Sequence, residues 1–490
     1  MNKKYKFSVI MPIYNVGQFL EESINSVLNQ TIGFEENIEL ILINDGSTDN
    51  SETICLNYQK KYPNNIIYKK QDNKGVSSAR NKGIKLAHGM YTNYFDGDDI
   101  WEQDVFEKVY EFTKENNDID VISCRQKYFE NKTSIHSLDY KYNDGNRIID
   151  IKENPDYIQM SVASVFIKTN VAKKFNFDEK LKYAEDAKYI TEIILEKEKY
   201  AVLSDCIYNI RKRFDQSSST QNKKYKIEAY TDTVNYYYNF LIEYSKKKYE
   251  TIIPYIQYAL INAIKYRVGE EIPDNIEKSI ITDYTNNLIG ILKQIDDEVI
   301  LNTNKVVIDT KLYLLKLKYN KLNKKDLTMT NNIIYFKNKE VGTITGNNNL
   351  NITNINLNKN NISFSGIVKM PIYFNFEHIY IDALGKTYSC NLHNNNNKNR
   401  KSFINEDMNT VKDFNITIEL DKKITKIIFY TKINSNEITF KPNIYINEKK
   451  VNLHNAYLKV KNKMLNTSKK RIFIRNYNIL KIIKKKLKKK

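Results

Sequence analysis

KFSVIMPIYNVGQFLEESINSVLNQTIGFEENIELILINDGS (Lys6–Ser47) sets out one complete strand–helix–strand unit. KFSVIM and IELILI read as short buried strands, and between them Leu20, Ile24, Val27 and Leu28 recur at helical spacing. Working outward, Ser47 to Tyr58 reads as a second helix, opened by the capping-type residues Ser47, Thr48 and Asp49. Ile66 to Tyr68 is a third strand, and Val76, Ala79, Gly83 and Ala87 give a helix one small-residue face. Tyr91 to Phe95 is a fourth strand, ending at Asp96. Strands alternating with helices predict an α/β domain with a largely parallel sheet covered on both faces. In such sheets ligands bind beyond the carboxyl ends of the strands.

The rest of the 490-residue chain changes character twice. Val121–Cys124 and Ser161–Ile167 are strand-like and Ala187–Leu195 is helical, which carries the first domain over residues 1–225. Residues 226–328 read as a tyrosine-rich helical linker region broken at Pro254 and Pro273, and 329–462 as a small β-sandwich of short alternating runs between Asn-rich turns. Residues 463–490 form a basic amphipathic tail. Hydrophobic residues at 41% and aromatics at 12% exclude a wholly disordered chain. No run reaches the roughly 18 apolar residues of a spanning helix, and the N-terminus lacks the pattern of a secretory signal. Cys55, Cys124, Cys206 and Cys390 lie far apart, against a zinc knuckle or a disulfide framework, so a reduced intracellular setting is expected. The formal net charge is +19, but Ser468–Lys490 carries eleven basic and no acidic residues, leaving +8 for the remainder.

Polar clusters follow the predicted strands: Pro12-Ile13-Tyr14-Asn15, Asn44-Asp45-Gly46-Ser47 and Asp96-Gly97-Asp98-Asp99, with Asn73-Lys74-Gly75 leading into the helix of Arg80 and Asn81. Three carboxylates within four residues repel one another unless something positive binds them. A divalent cation carrying a diphosphate answers that need, and hard oxygen ligands suit magnesium or manganese; a solvated acidic turn is the plainer alternative. Glu185-Asp186 precedes a helical run and, taken alone, reads more readily as an acidic helix start than as a site. Ile210-Arg211-Lys212-Arg213, followed by Ser217 and Ser218, is expected to be a basic, hydroxyl-rich loop.

Together VIMPIYN, LINDGSTDNS, NKGVSSARNKGI, YFDGDDIW and AEDAKY resemble, in order and spacing, the family 2 glycosyltransferases of GT-A fold over roughly the first 220 residues. The resemblance implies a nucleotide-sugar-binding domain with a UDP-sugar as donor. It places Pro12, Tyr14, Asp45 and Arg80 around the uridine, Asp96 at the ribose side of a D-x-D motif that holds Mn2+ or Mg2+, and Asp98 on the metal. Asp186, with Glu185 beside it, matches the catalytic base, and Arg213 and Ser217 fall where a loop closes over the diphosphate. Asn44 departs from the aspartate many members carry before the next one.

The implied reaction is an in-line, inverting transfer to a hydroxyl of a cell-surface glycan precursor: capsule, teichoic acid or a lipid-linked oligosaccharide. The 329–462 module resembles, more weakly, accessory β domains of teichoic acid and capsule glycosyltransferases, for holding acceptor or making a homo-oligomer contact. In the tail, Ile479, Ile482, Ile483 and Leu487 recur at helical spacing among lysines, which suits an anionic membrane surface. The expected location is therefore cytoplasmic and peripheral at the inner membrane face. A non-catalytic glycan- or nucleotide-binding protein is the alternative, and pure binding needs no general base. No specific nucleic acid is expected, because the charge sits in one tail and nothing resembles a recognition helix.

Overall fold

The computed structural model describes residues 5–451 other than 132, 215–222, 271, 345–348, 358–360, 372, 375, 384–385, 403–405, 420–426, 434–435, 441–442 and 447–448. The basic tail of 463–490 lies outside the described residues. The chain divides into two compact units: Met1–Ala263 with Ile272–Val299 and Thr303–Lys305, and Ile264–Glu271 with Ile300–Asn302 and Val306–Lys490.

The first unit is built on a ten-stranded sheet. Its strands are β1 (Phe7–Ile13), β2 (Ile38–Asp45), β3 (Ile66–Gln71), β4 (Tyr91–Tyr94), β5 (Ile100–Trp101), β6 (Val121–Glu130), β7 (Ser134–Ile135), β8 (Arg147–Asp150), β9 (Val165–Lys168) and β10 (Lys199–Lys212). The helices among these strands are α1 (Gly17–Leu28), α2 (Phe34–Asn37), α3 (Ser51–Lys61), α4 (Val76–Leu86), α5 (Val105–Glu115), α6 (Thr169–Ala172) and α7 (Glu185–Lys197), and further helices, Asn239–Tyr249 and Lys278–Leu292 among them, follow β10. The order along the main path is β3-β2-β1-β4-β9-β6-β10-β5. β1 runs parallel to β2 and β4, and β2 to β3, as the alternation predicts. β9 enters antiparallel between β4 and β6. All eight residues of β2 are buried, the mark of a strand covered on both faces.

The second helix begins at Ser51, later than the expected Ser47. The candidate capping residues serve a turn instead: Asn44 Oδ1 accepts from the Ser47 amide at 2.8 Å, and Asp49 accepts from the amides of Ser51 at 3.0 Å and Gly17 at 2.9 Å. Asp49 thus ties the loop after β2 to the start of α1, at the carboxyl edge of the sheet.

The small face of α4 is required by its approach to β1. A Cβ added at Gly83 would lie 2.3 Å from Cγ2 of Ile10, a fully buried β-branched side chain. Alanine gains about 1 kcal/mol of helix propensity over glycine, while overpacking costs about 1–3 kcal/mol. Gly83→Ala is therefore expected to lower the urea midpoint of the full chain; a midpoint equal to or above the native one would refute the close packing.

The described part of the second unit holds the helix Ile308–Tyr319 and β sheets over 327–451. Three strands over 327–343 pair antiparallel. Beyond them a six-stranded and a four-stranded sheet meet through Phe364 and Phe429, whose rings lie 5.3 Å apart edge to face. The alternation after Thr330 is realised as these mostly antiparallel sheets.

Candidate active site

The site grows from the loops at the carboxyl ends of β1, β2 and β4. Asp45, the last residue of β2, is 3% exposed and its carboxylate accepts three hydrogen bonds: from Gln71 Nε2 at 2.8 Å, Lys74 N at 2.9 Å and Gly75 N at 2.8 Å. Within this structure it braces the loop that launches α4. Gly75, at φ 89°, makes the turn that side-chain-bearing residues resist. Pro12 sits at the end of β1, and Tyr14 just beyond it is half-exposed over this edge.

From α4, Arg80 reaches across the site. It is 4% exposed and donates to Glu185 Oε1 at 2.9 Å and Asp96 Oδ1 at 3.2 Å. One guanidinium thereby joins the acid after β4 to the acid pair that opens α7. Burial raises the Asp96 carboxyl above its usual range and the neighbouring Asp98 adds to this, while Arg80 opposes both.

Asp98 is held on the other side. Arg213, just past β10, donates from Nη2 to its Oδ2 at 2.5 Å and from Nε at 3.0 Å. The segment 210–213 expected as a loop is mostly strand, since Ile210, Arg211 and Lys212 continue the pairing of β10 with β6 through Glu130. Arg211 points inward: it is 6% exposed, pairs with Glu22 at 2.5 Å and with Glu130, and donates to the Asp98 carbonyl at 2.6 Å. Asp99 is buried, taking the Tyr208 hydroxyl at 2.6 Å and the Arg211 amide at 2.8 Å, and burial pushes its carboxyl well up. Of the three clustered aspartates, one is consumed by the fold and two face the site. Ser217 lies outside the described residues.

Asp186 sits in the first turn of α7, after Ala184 in the left-handed region at φ 69°. A hydrogen-bonded frame fixes that turn. Asn81 donates to the Phe177 carbonyl at 2.9 Å and accepts from its amide at 2.8 Å; Phe177 stacks on Tyr189 at 3.9 Å; Tyr189 bonds the Tyr94 hydroxyl at 2.7 Å. Burial, then the adjacent Glu185, raises Asp186 to about 7, against the pull of Arg80. A carboxylate so placed suits proton abstraction near neutral pH. The sequence marks Asn81 on its helix and Arg211 in a basic segment, but not the inward turn of Arg211, the bonds of Asn81 to Phe177 or this aromatic frame. Only the in–out alternation across Ile210–Lys212 offered a local signal.

Among the described residues no three His, Cys, Asp or Glu side chains converge as a metal cage. Asp96 and Asp98 alone suit a magnesium-like ion, which takes one or two carboxylates and completes its shell with waters and substrate phosphates. The chemistry of the donor set fits the cation the sequence implies, provided Arg213 yields Asp98.

The family model "Glycosyl transferase family 2" matches residues 8–173, which span β1 to α6. The chain is also 34% identical over 304 residues to the Bacillus subtilis minor teichoic acid biosynthesis protein GgaA, covering 60% of this chain and 68% of that one. The chain belongs to glycosyltransferase family 2. GgaB of the same organism is 39% identical over 65% of this chain, which spans only 36% of GgaB. A Staphylococcus aureus poly(ribitol-phosphate) beta-N-acetylglucosaminyltransferase, TarP, is 32% identical, covering 48% of this chain and 71% of TarP. The crystal structure of S. aureus TarS aligns over 91% of this chain and 79% of its own, with a TM-score of 0.54 at 15% identity. That likeness establishes the fold: a GT-A-like domain followed by helices and further β sheets. Among the described residues no helix is long and apolar enough to cross a membrane.

Proposed function

We propose that this protein is an inverting glycosyltransferase that moves a sugar from a UDP-sugar to a hydroxyl of a phosphate-bearing cell-surface polymer of the teichoic acid class. The observation that carries the reading is the Arg80 bridge, which gathers Asp96 and the Glu185-Asp186 pair at one sheet edge. Binding alone needs no carboxylate poised near pH 7 beside the nucleotide acids. A TarS structure was solved in complex with UDP-GlcNAc, and TarP is named for the transfer of N-acetylglucosamine to poly(ribitol phosphate). Those names support the donor and acceptor classes proposed for this chain.

In the proposed reaction the acceptor hydroxyl oxygen attacks the anomeric carbon from the face opposite the diphosphate. The new C–O bond forms as the bond to the phosphate oxygen breaks, and the hydroxyl proton passes to Asp186. An α-linked donor then gives a β-linked product. Asp96 and Asp98 would hold a Mn2+ or Mg2+ ion, which when bound would supply positive charge beside the departing diphosphate. Arg213, released from Asp98, donates to the same phosphates. The proposed site of action is the cytoplasm, and the lysine-rich sequence of 463–490 suits an anionic inner leaflet.

Thermal unfolding with UDP, GDP and CMP, each with and without manganese, tests the donor site. UDP with manganese at about 100 times its dissociation constant is expected to add about 2.7 kcal/mol, and Asp98→Asn to abolish that gain. A chain that no nucleotide stabilises would instead be a binding protein on the same fold.

A further inference from the structure

A second site lies on the first unit, away from the carboxylates. The three-residue step Asp139–Lys141, in a short 3-10 helix, and the segment Gln159–Ser161 face Gln126 and His136 across a cleft of about 140 Å3. Its floor holds a charge that folding alone does not require. Lys141 is 2% exposed, donating to the Ile158 carbonyl at 3.0 Å and to Gln159 Oε1, with its ammonium over the rings of Tyr142 and Tyr200 at 5.3 and 5.4 Å. An ammonium has three donors, and these contacts use two. The adjacent carboxylate is already neutralised, because Arg125 grips Asp139 with bonds of 2.7 and 2.8 Å. Among the described residues no carboxylate forms an ion pair with Lys141. Burial drives its ordinary value down to about 7, so the fold bears a cost for this amine that an anion in the cleft would offset.

The cleft is joined to the candidate base by two chains of contacts. Residues Thr233–Tyr238 form a turn of π-helix, a distortion frequent at functional sites. It sets the Tyr237 hydroxyl 3.7 Å from the sulfur of Met160 on the cleft wall, and close enough to Asp186 for that carboxylate to raise the phenol. Tyr255, which also acts on Tyr237, accepts from the Gln159 amide at 3.2 Å.

We infer that this cleft is an acceptor subsite for a phosphodiester-linked polyol, with Lys141 on the phosphate and the amides and hydroxyls around it on the polyol. A unit held there leaves the next one along the chain free to present its hydroxyl to Asp186. The inference rests on the acceptor class proposed above, and its test separates the two.

Binding of a synthetic ribitol-phosphate hexamer to the full chain is measured by calorimetry, with free ribitol and inorganic phosphate as separate probes. Lys141→Met removes the charge at nearly constant volume, and Ser161→Asp sets a negative charge at the half-buried rim without touching the core. The expected result is hexamer binding weakened at least tenfold by each change, with the UDP-induced thermal shift unaltered. Hexamer binding that neither change alters, or inorganic phosphate binding as tightly as the hexamer, overturns the subsite. Failure of the native chain to bind the hexamer overturns it as well. In each case a surviving UDP shift leaves the donor reading standing, whereas loss of both removes the two together. Should Lys141→Met fail to fold, Ser161→Asp alone decides.

Discussion

Asp186→Asn is expected to lower the rate of sugar transfer by about a thousandfold while leaving UDP-dependent stabilisation as in the native chain. The amide keeps the shape and volume of the side chain but accepts no proton from the attacking hydroxyl. The native pH profile carries the same signature. With Asp186 raised to about 7 by burial and by Glu185, the ionised form needed for attack is scarce in acid. The rate should climb about tenfold per pH unit below 7 and level above it. Glu185→Gln removes the like charge but not the burial, so its acid limb should move to lower pH without vanishing. The stability sign runs the other way. A carboxyl whose folded value is raised favours the native state below its unfolded value, and that contribution is lost as pH rises through about 7. Asp186→Asn should therefore be no less stable than the native chain at pH 8, which separates lost chemistry from lost structure. Native-like turnover in this variant would remove Asp186 from the mechanism.

Much of this site was legible in the sequence because its residues follow strands, and a strand's carboxyl end is readable from where an apolar run stops. Asp45, Asp96 and Asp98 were found that way, and Arg80 by its place on the small-faced helix. What could not be read is who meets whom. Arg80 and Glu185 are separated by 105 residues and Arg211 and Glu22 by 189, and no local periodicity encodes such pairs. The same limit hid the difference between Asp98 and Asp99. Adjacent in sequence and identical in chemistry, they part because Asp99 turns inward to Tyr208 while Asp98 meets Arg213. The cleft around Lys141 carries no motif at all: a lysine between two tyrosines reads as solvated surface until the fold closes over it.

The second large effect is expected at Arg80. Its guanidinium is buried beneath Phe177, 5.2 Å from the ring, and answers two carboxylates whose other neighbours, Asp98 and Asp186, are also acidic. Arg80→Met keeps the packing and removes the charge, leaving Asp96 and Glu185 opposed only by each other. Removing one partner of a buried ion pair costs about 3–5 kcal/mol; Asp96 is 38% exposed, so the lower end, about 3 kcal/mol, applies. Urea unfolding should show this as a lower midpoint at unchanged slope. Arg80→Lys should recover little, since one ammonium cannot reproduce a planar fork that reaches two acids at once. Arg80→Met combined with Glu185→Gln should recover a substantial part of the loss, because removing both members of a pair strands neither. If Arg80→Met alone unfolds within 0.5 kcal/mol (about the scatter of surface substitutions) of the native chain, the bridge does not hold the two halves of the site together, and the alignment of Asp96 with Asp186 must come from the aromatic frame around Tyr189 instead.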